Sequence, residues 1–292
     1  MKYDIREIAG ERIILCAHRG VWGGNIPCNN ILAYDIAIAQ GADMVEIDVT
    51  MSKDGKLFVF HPHMEPYHLG RDVHLEEMTA DEIRELRYCN YDGAPTEVPI
   101  NTLDEVLEHL KGRCYINIDK FGDHPAEIIK KIERHDMKEQ IILKCKPEEA
   151  QLAVIEKYAP DIAFFPVISQ DNGIHEMLKH RNIRYVGSEL LFQNMDSEVA
   201  TEEYRDKLHR DGKLLWVNTI VYDYRKVISA FHTDDIALAG NPEFGWGWCA
   251  ENFDIIQTDW VMMLSQYLTR TNRRLRRLSH DKYGNEGICL IN

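Results

Sequence analysis

Short runs of apolar, β-branched residues recur along this chain, and a stretch with helical spacing follows nearly every one of them. This alternation is the strongest constraint on the fold, because a strand followed by a helix returns to its sheet parallel to the strand before it. Eight runs are expected as strands, at 13–18, 44–49, 115–119, 141–145, 162–168, 184–190, 213–219 and 254–259. A ninth, 57–61, follows the Asp54-Gly55 pair and is expected to fold back on 44–49 as a hairpin. Helices are expected near 30–40, 79–88, 103–110, 125–135, 148–158, 172–181, 198–210, 223–230 and 260–277. The rest of 62–100 reads as irregular.

Eight strand–helix alternations predict an α/β fold, a closed (β/α)₈ TIM barrel with a small hairpin/helical insertion, about 51–111, between strands two and three. The competing architecture is an open doubly wound sheet. Its nucleotide-binding form loses support because no G-x-G-x-x-G follows the first strand. Residues 1–270 are expected to form one catalytic domain, and 271–292 a tail that is basic at its start.

The 292 residues suit one such domain, and an apolar share of 45% can fill its core. With 34 Lys and Arg against 48 Asp and Glu, the net charge of −14 argues against a nucleic-acid partner and against coating an anionic membrane. The basic cluster at Arg270, Arg273, Arg274, Arg276, Arg277 and Lys282 suits a solvated helix end, the acidic body, or an anionic partner such as lipid head groups. Seven scattered cysteines without a C-x-x-C pair point to a reducing compartment. Residues 1–7 are too charged for a signal peptide, and 13–17 is too short for a membrane span. A cytoplasmic protein without stable membrane insertion is expected, with its oligomeric state left open.

In a barrel, chemistry gathers where strands end. Here those ends carry His18-Arg19-Gly20, Glu46 and Asp48, His61, Asn117, Asp119 and Lys120, Lys144, Glu189, Asn218 and Asp259. Glu46 and Asp48 lie two apart on a strand and share a face. Two adjacent carboxylates repel unless a cation separates them, and a hard ion such as Mg²⁺ or Ca²⁺ prefers oxygen ligands. Asp119 is the natural third ligand; salt bridges from Arg19 or Lys120 are the alternative use of the pair. His18 and His61 suit proton transfer near neutral pH. His63 stands two residues further on, but His61 ends the apolar run directly. Arg19 and Lys120 suit a phosphate. The Gly- and Trp-rich segment 240–248 and Trp22-Gly23-Gly24 either line a pocket or pack on the barrel wall.

These residues and their order carry a resemblance. His18-Arg19-Gly20, Pro27-Cys28-Asn29, the run 41–49 with Glu46 and Asp48, Lys53-Asp54-Gly55 and His61 resemble the glycerophosphodiester phosphodiesterase family. Ile116-Asn117-Ile118-Asp119-Lys120, Trp216-Val217-Asn218-Thr219 and the final strand at 255–259 match in kind. The resemblance implies a barrel, one divalent cation (Mg²⁺ or Ca²⁺) on Glu46, Asp48 and Asp119, and His18 and His61 as the acid–base pair. Arg19, Lys120, Glu189, Trp216 and Asn218 form the expected substrate- and phosphate-binding set. The implied reaction is hydrolysis of a small-molecule glycerophosphodiester to an alcohol and glycerol 3-phosphate through a cyclic phosphate.

Three positions depart from the family pattern. Cys28 and Pro62 stand where acidic residues are usual, and Asp119 stands where Glu is usual. The alternatives are another diester at the same site, such as a sugar-phosphate or lysophospholipid with an outcome that can stop at the cyclic phosphate, and a non-catalytic diester-binding relative.

Overall fold

A computed structural model describes residues 3–221 and 226–276. Its strands are β1 (Ile14–Ala17), β2 (Met44–Met51), β3 (Leu57–Val59), β4 (Arg87–Cys89), β5 (Pro95–Pro99), β6 (Tyr115–Asp119), β7 (Ile141–Cys145), β8 (Ala163–Ile168), β9 (Gly187–Leu190), β10 (Leu214–Asn218) and β11 (Ile255–Thr258). The sheet runs β1-β11-β10-β9-β8-β7-β6-β2, and a parallel β1–β2 pairing closes it. The result is an eight-stranded parallel barrel with helices between its strands, and β3 lies antiparallel on β2.

Strand alternation divides the core. Val45, Ile47, Ile116, Ile118, Ile141 and Leu143 face outward onto the helices, whereas Leu15, Leu215, Val217 and Ile256 do so on the far side of the barrel. The inward side chains of the lower half are apolar: Ile14, Cys16, Met44, Ile142, Phe165, Trp216 and Ile255. Ile5 and Ala9 of the helix Ile5–Glu11 cap them from below. Gly187 allows this layer to close, because a Cβ there would lie 2.5 Å from Phe165 Cε1.

Three expected elements differ. The helix expected at 79–88 covers only Ala80–Arg84, held by a capping box between Thr79 and Glu82. Arg87–Cys89 then pairs with Pro95–Pro99 as a second small sheet, so 62–100 is less irregular than expected. Tyr88 accounts for this: it is fully buried, and its hydroxyl lies 3.3 Å from the carbonyl oxygens of Asn29 and Val59. The helix expected at 223–230 is not formed over 226–230; residues 222–225 lie outside the described residues, and the helix of this region is Asp234–Leu238. The final helix spans Val261–Arg270 and ends before Asn272, whose φ is +55°.

The first basic residues of the tail turn back onto the acidic body. Arg273 pairs with Glu243 and Glu251, Arg274 with Asp43, and Arg276 with Asp254, all within 2.5–2.9 Å. Arg277 and Lys282 lie outside the described residues. The segment 240–248 packs on the wall: Trp246 is buried, and Trp248 stacks on His232 at 4.2 Å. Among the described residues, no helix is long and apolar enough to cross a membrane.

Candidate active site

The upper half of the interior is polar because the same inward parity that buries Ile14, Met44 and Trp216 brings charged residues up at the next steps. Register sets their spacing: Glu46 lies opposite Asn117, and Asp48 opposite Asp119, across β2 and β6. Oxygens of Glu46, Asp48 and Asp119 lie within 4.8 Å of one another. Glu46 is 3% exposed and Asp48 is fully buried. Burial, with Asp48 as the largest charge nearby, pushes the Glu46 carboxyl up to about 7. Burial also opposes charge on Asp119, but Lys120 and Lys144 outweigh it and hold that carboxyl below its usual range.

The loop after β1 supplies the cradle. Arg19 and Gly20 both have positive φ, +58° and +80°, which turns the chain sharply at the strand end. A Cβ on Gly20 would lie 2.8 Å from Ala33. The turn aims the Arg19 amide at Glu46 Oε2 (2.9 Å) and brings the Arg19 Nε to 3.1 Å from Asp48 Oδ2. Asn29 grips Asp48 twice: its Nδ2 donates to Asp48 Oδ2 at 2.8 Å, and its Oδ1 accepts from the Asp48 amide at 3.2 Å. Asn30, next in the chain, caps the helix Ile31–Ala39 and so anchors that grip. Asp48 Oδ1 is buried and meets no hydrogen-bond donor among the described residues. An orphaned carboxylate oxygen beside two further carboxylates fits a hard divalent cation.

The two imidazoles follow strands that pair with β2, His18 after β1 and His61 after β3. The Nδ1 of His18 meets Asp259 Oδ1 at 2.9 Å. Burial works against charge on His18, but Asp259 and then Glu46 overcome it and raise its pKa above the usual histidine value. The Nδ1 of His61 lies 2.7 Å from the carbonyl oxygen of Pro62, which only accepts, so Nδ1 carries the hydrogen and Nε2 the lone pair. Its Nε2 stands 4.0 Å from Asp48 Oδ1. Burial holds the pKa of His61 below the ordinary value despite Asp48. One imidazole therefore favours carrying a proton and the other favours accepting one.

These groups surround a cavity of about 190 Å³ lined also by Arg19, Lys120, Lys144, Glu189, Asn218 and Lys226. Lys120 has φ +61° and folds back so that its Nζ meets Asp119 Oδ2 at 2.9 Å. On the far wall, Lys144 pairs with Glu189 at 2.5 Å and donates to Gln257 at 3.0 Å, while Asn218 donates to Glu189 Oε1 at 2.7 Å.

Nine of the ten site residues expected from sequence gather at this mouth. Trp216 is the correction. It points inward but one layer lower, is fully buried among Phe165 and Ile255, and lies beneath Lys144, whose Nζ is 4.2 Å from its ring. Strand parity indicates direction and says nothing of depth. His63 does not line the cavity.

Sequence reasoning missed Asn29, Lys226, Gln257 and the partnership of Asp259 with His18. Asp259 was visible as a strand end, but its pairing spans 241 positions and depends on barrel closure. Two of the three departures from the family pattern have local counterparts in the structure. The main chain at Pro62 supplies the acceptor for His61, and Cys28, 2% exposed with its thiol pushed up to about 12 by burial, stays neutral 3.6 Å from His68 Nε2.

Three carboxylates that could hold a divalent ion, beside clustered cations at the carboxyl mouth of a closed barrel, form an arrangement suited to a phosphate ester. The chain belongs to the glycerophosphoryl diester phosphodiesterase family, a family of phosphoric diester hydrolases, whose sequence profile matches residues 18–220. A glycerophosphodiester phosphodiesterase of Bacillus altitudinis is 26% identical over 212 residues, covering 68% of this chain and 82% of that protein. The uncharacterized protein YqiK of Bacillus subtilis is 26% identical over 154 residues, 50% of this chain, and the match spans 63% of YqiK, under two thirds of its length. A phosphodiesterase from Oleispira antarctica, solved with the product sn-glycerol-3-phosphate, superimposes with a TM-score of 0.66 at 17% identity, covering 88% of this chain and 97% of that one. At that identity the likeness is one of fold.

Proposed function

We propose that this protein hydrolyses glycerophosphodiesters to an alcohol and glycerol 3-phosphate. The observation that carries the reading is the pair of imidazoles with opposed proton preferences flanking one carboxylate cluster. His61 accepts at Nε2 the proton of the substrate hydroxyl next to the phosphate, and that oxygen attacks phosphorus. His18, kept charged by Asp259, gives its Nε2 proton to the departing alcohol. A cyclic phosphate forms, and water opens it as the imidazoles exchange roles. Arg19 and Lys120 orient the phosphoryl oxygens, with Lys226 adding charge at the rim. Glu46, Asp48 and Asp119 would hold Mg²⁺ or Ca²⁺, which when bound offsets negative charge on the phosphoryl group. The glycerol 3-phosphate bound to the Oleispira antarctica relative supports a product of this kind. The free cysteines support a cytoplasmic setting.

Phosphorus NMR of a glycerophosphodiester incubated with Mg²⁺, Ca²⁺ or EDTA tests the reading. Glycerol 3-phosphate is expected with an ion and none with EDTA. Full turnover by His18→Ala or His61→Ala would remove the acid–base assignment.

One observation favours a second diester class. A cleft of about 690 Å³ opens beside Asp259, walled by Trp22, Tyr91, Trp260 and Met262. Such apolar walls suit the chain of a lysophospholipid, and faster release from a lysophospholipid than from a short glycerophosphodiester would favour that substrate.

A further inference from the structure

Asp234 lies outside the phosphate cavity and is 3% exposed. It opens the helix Asp234–Leu238, where an acidic residue ordinarily serves the helix end. Its side chain instead reaches into the barrel wall. Oδ1 accepts from Thr219 Oγ1 (2.7 Å), Trp246 Nε1 (2.7 Å) and Thr258 Oγ1 (2.8 Å). Oδ2 accepts from the backbone amide of Asp259 at 3.0 Å. Asp259 in turn holds His18 Nδ1.

We infer that Asp234 is a positioning residue for His18: it fixes the strand end at Thr258-Asp259, so that the Asp259 carboxylate holds the imidazole with Nδ1 hydrogen-bonded and Nε2 presented to the substrate. The inference rests on the proposed role of His18 as proton donor. A desolvated carboxylate is a costly way to hold a wall together, and burial, with Asp259 nearby, already pushes this one up to about 7. What it supplies is an array of acceptors that a neutral side chain cannot copy. Three donors converge on Oδ1 and one on Oδ2. The two threonine hydroxyls can turn to accept, but Trp246 Nε1–H and Asp259 N–H can only donate, so in Asp234→Asn the NH₂ faces one of these two donors whichever way the amide lies. The substitution therefore breaks either the Asp259 link itself or the Trp246 bond that holds the side chain against it, and loosens the strand end in both cases.

The test uses the full chain and two glycerophosphodiesters, one releasing ethanol and one releasing p-nitrophenol. Ethanol must be protonated as it leaves; nitrophenolate need not be. In Asp234→Asn, kcat for the ethyl ester is expected to fall about tenfold or more with KM unchanged, and for the nitrophenyl ester by less than about threefold. Asp234→Asn/Asp259→Asn should be no slower than Asp259→Asn alone, because both act through one contact. Equal losses on the two esters, full turnover of the ethyl ester, or a double variant slowed by the product of the single effects would overturn the inference. Should Asp234→Asn not fold, Thr258→Val removes one donor with little change of shape and should give the same leaving-group bias at smaller size; a uniform loss would count against it. If the wild type turned over neither ester, the proposed function would fail, and nitrogen NMR of His18 would still decide the link. A His18 whose Nδ1 resonance and titration are unchanged in Asp234→Asn would sink it; a shift in them would uphold it.

Discussion

The lower and upper halves of the barrel interior are lined by the same strands at the same parity, yet they are built from opposite materials. On β10, Trp216 and Asn218 both turn inward, two residues apart. Trp216 is sealed against Phe165 and Ile255, whereas Asn218 touches Glu189 at the edge of the cavity. On β2 the same step separates Met44 from Glu46. One rung of the strand separates residues that hold the barrel together from residues that do its chemistry, and the two sets should respond differently to substitution.

The largest expected separation is at the top. His18→Ala and His61→Ala should each lower kcat by about 10²- to 10⁴-fold, with urea unfolding midpoints close to wild type; a large drop in midpoint would mean the upper layer also carries the fold. At the bottom, Trp216→Ala should cost about 3–5 kcal/mol in urea unfolding, while the folded fraction keeps its affinity for the divalent ion. Loss of ion binding without loss of stability would erase the boundary between the halves.

A smaller effect comes from pH. The folded pKa of Glu46, about 7, exceeds that of an unfolded glutamate, so between the two values the native state binds more protons. Stability of the ion-free protein should therefore fall as pH rises from the unfolded value through about 7, by at most about 1.4 kcal/mol per pH unit. Saturating Mg²⁺ or Ca²⁺ should flatten that slope. The smallest effect belongs outside the barrel: Arg273→Ala removes pairs with the exposed Glu243 and Glu251 and should cost no more than about 1 kcal/mol without changing kcat.

The barrel itself was readable because β-branched runs and helical spacing are local signals, and the inward residues of β2 and β6 were readable from alternation alone. Depth was not readable, and Trp216 shows why: nothing within five residues of strand says where the mouth begins. The β4–β5 hairpin escaped notice because its three-residue first strand is held by Tyr88 reaching across to Asn29 and Val59. Contacts such as Asp259 with His18 or Arg274 with Asp43 join the two ends of the chain and exist only after the barrel closes.

The acceptor that orients His61 belongs to the main chain at position 62. Every amino acid offers that same oxygen, so replacing Pro62 swaps the ring and leaves the acceptor in place. An alanine scan would credit the imidazole and overlook what aims it. Heritable variation at this corner can act only by rerouting the path of the loop, which makes the aim of the base a property of backbone shape and shields it from most single-codon changes.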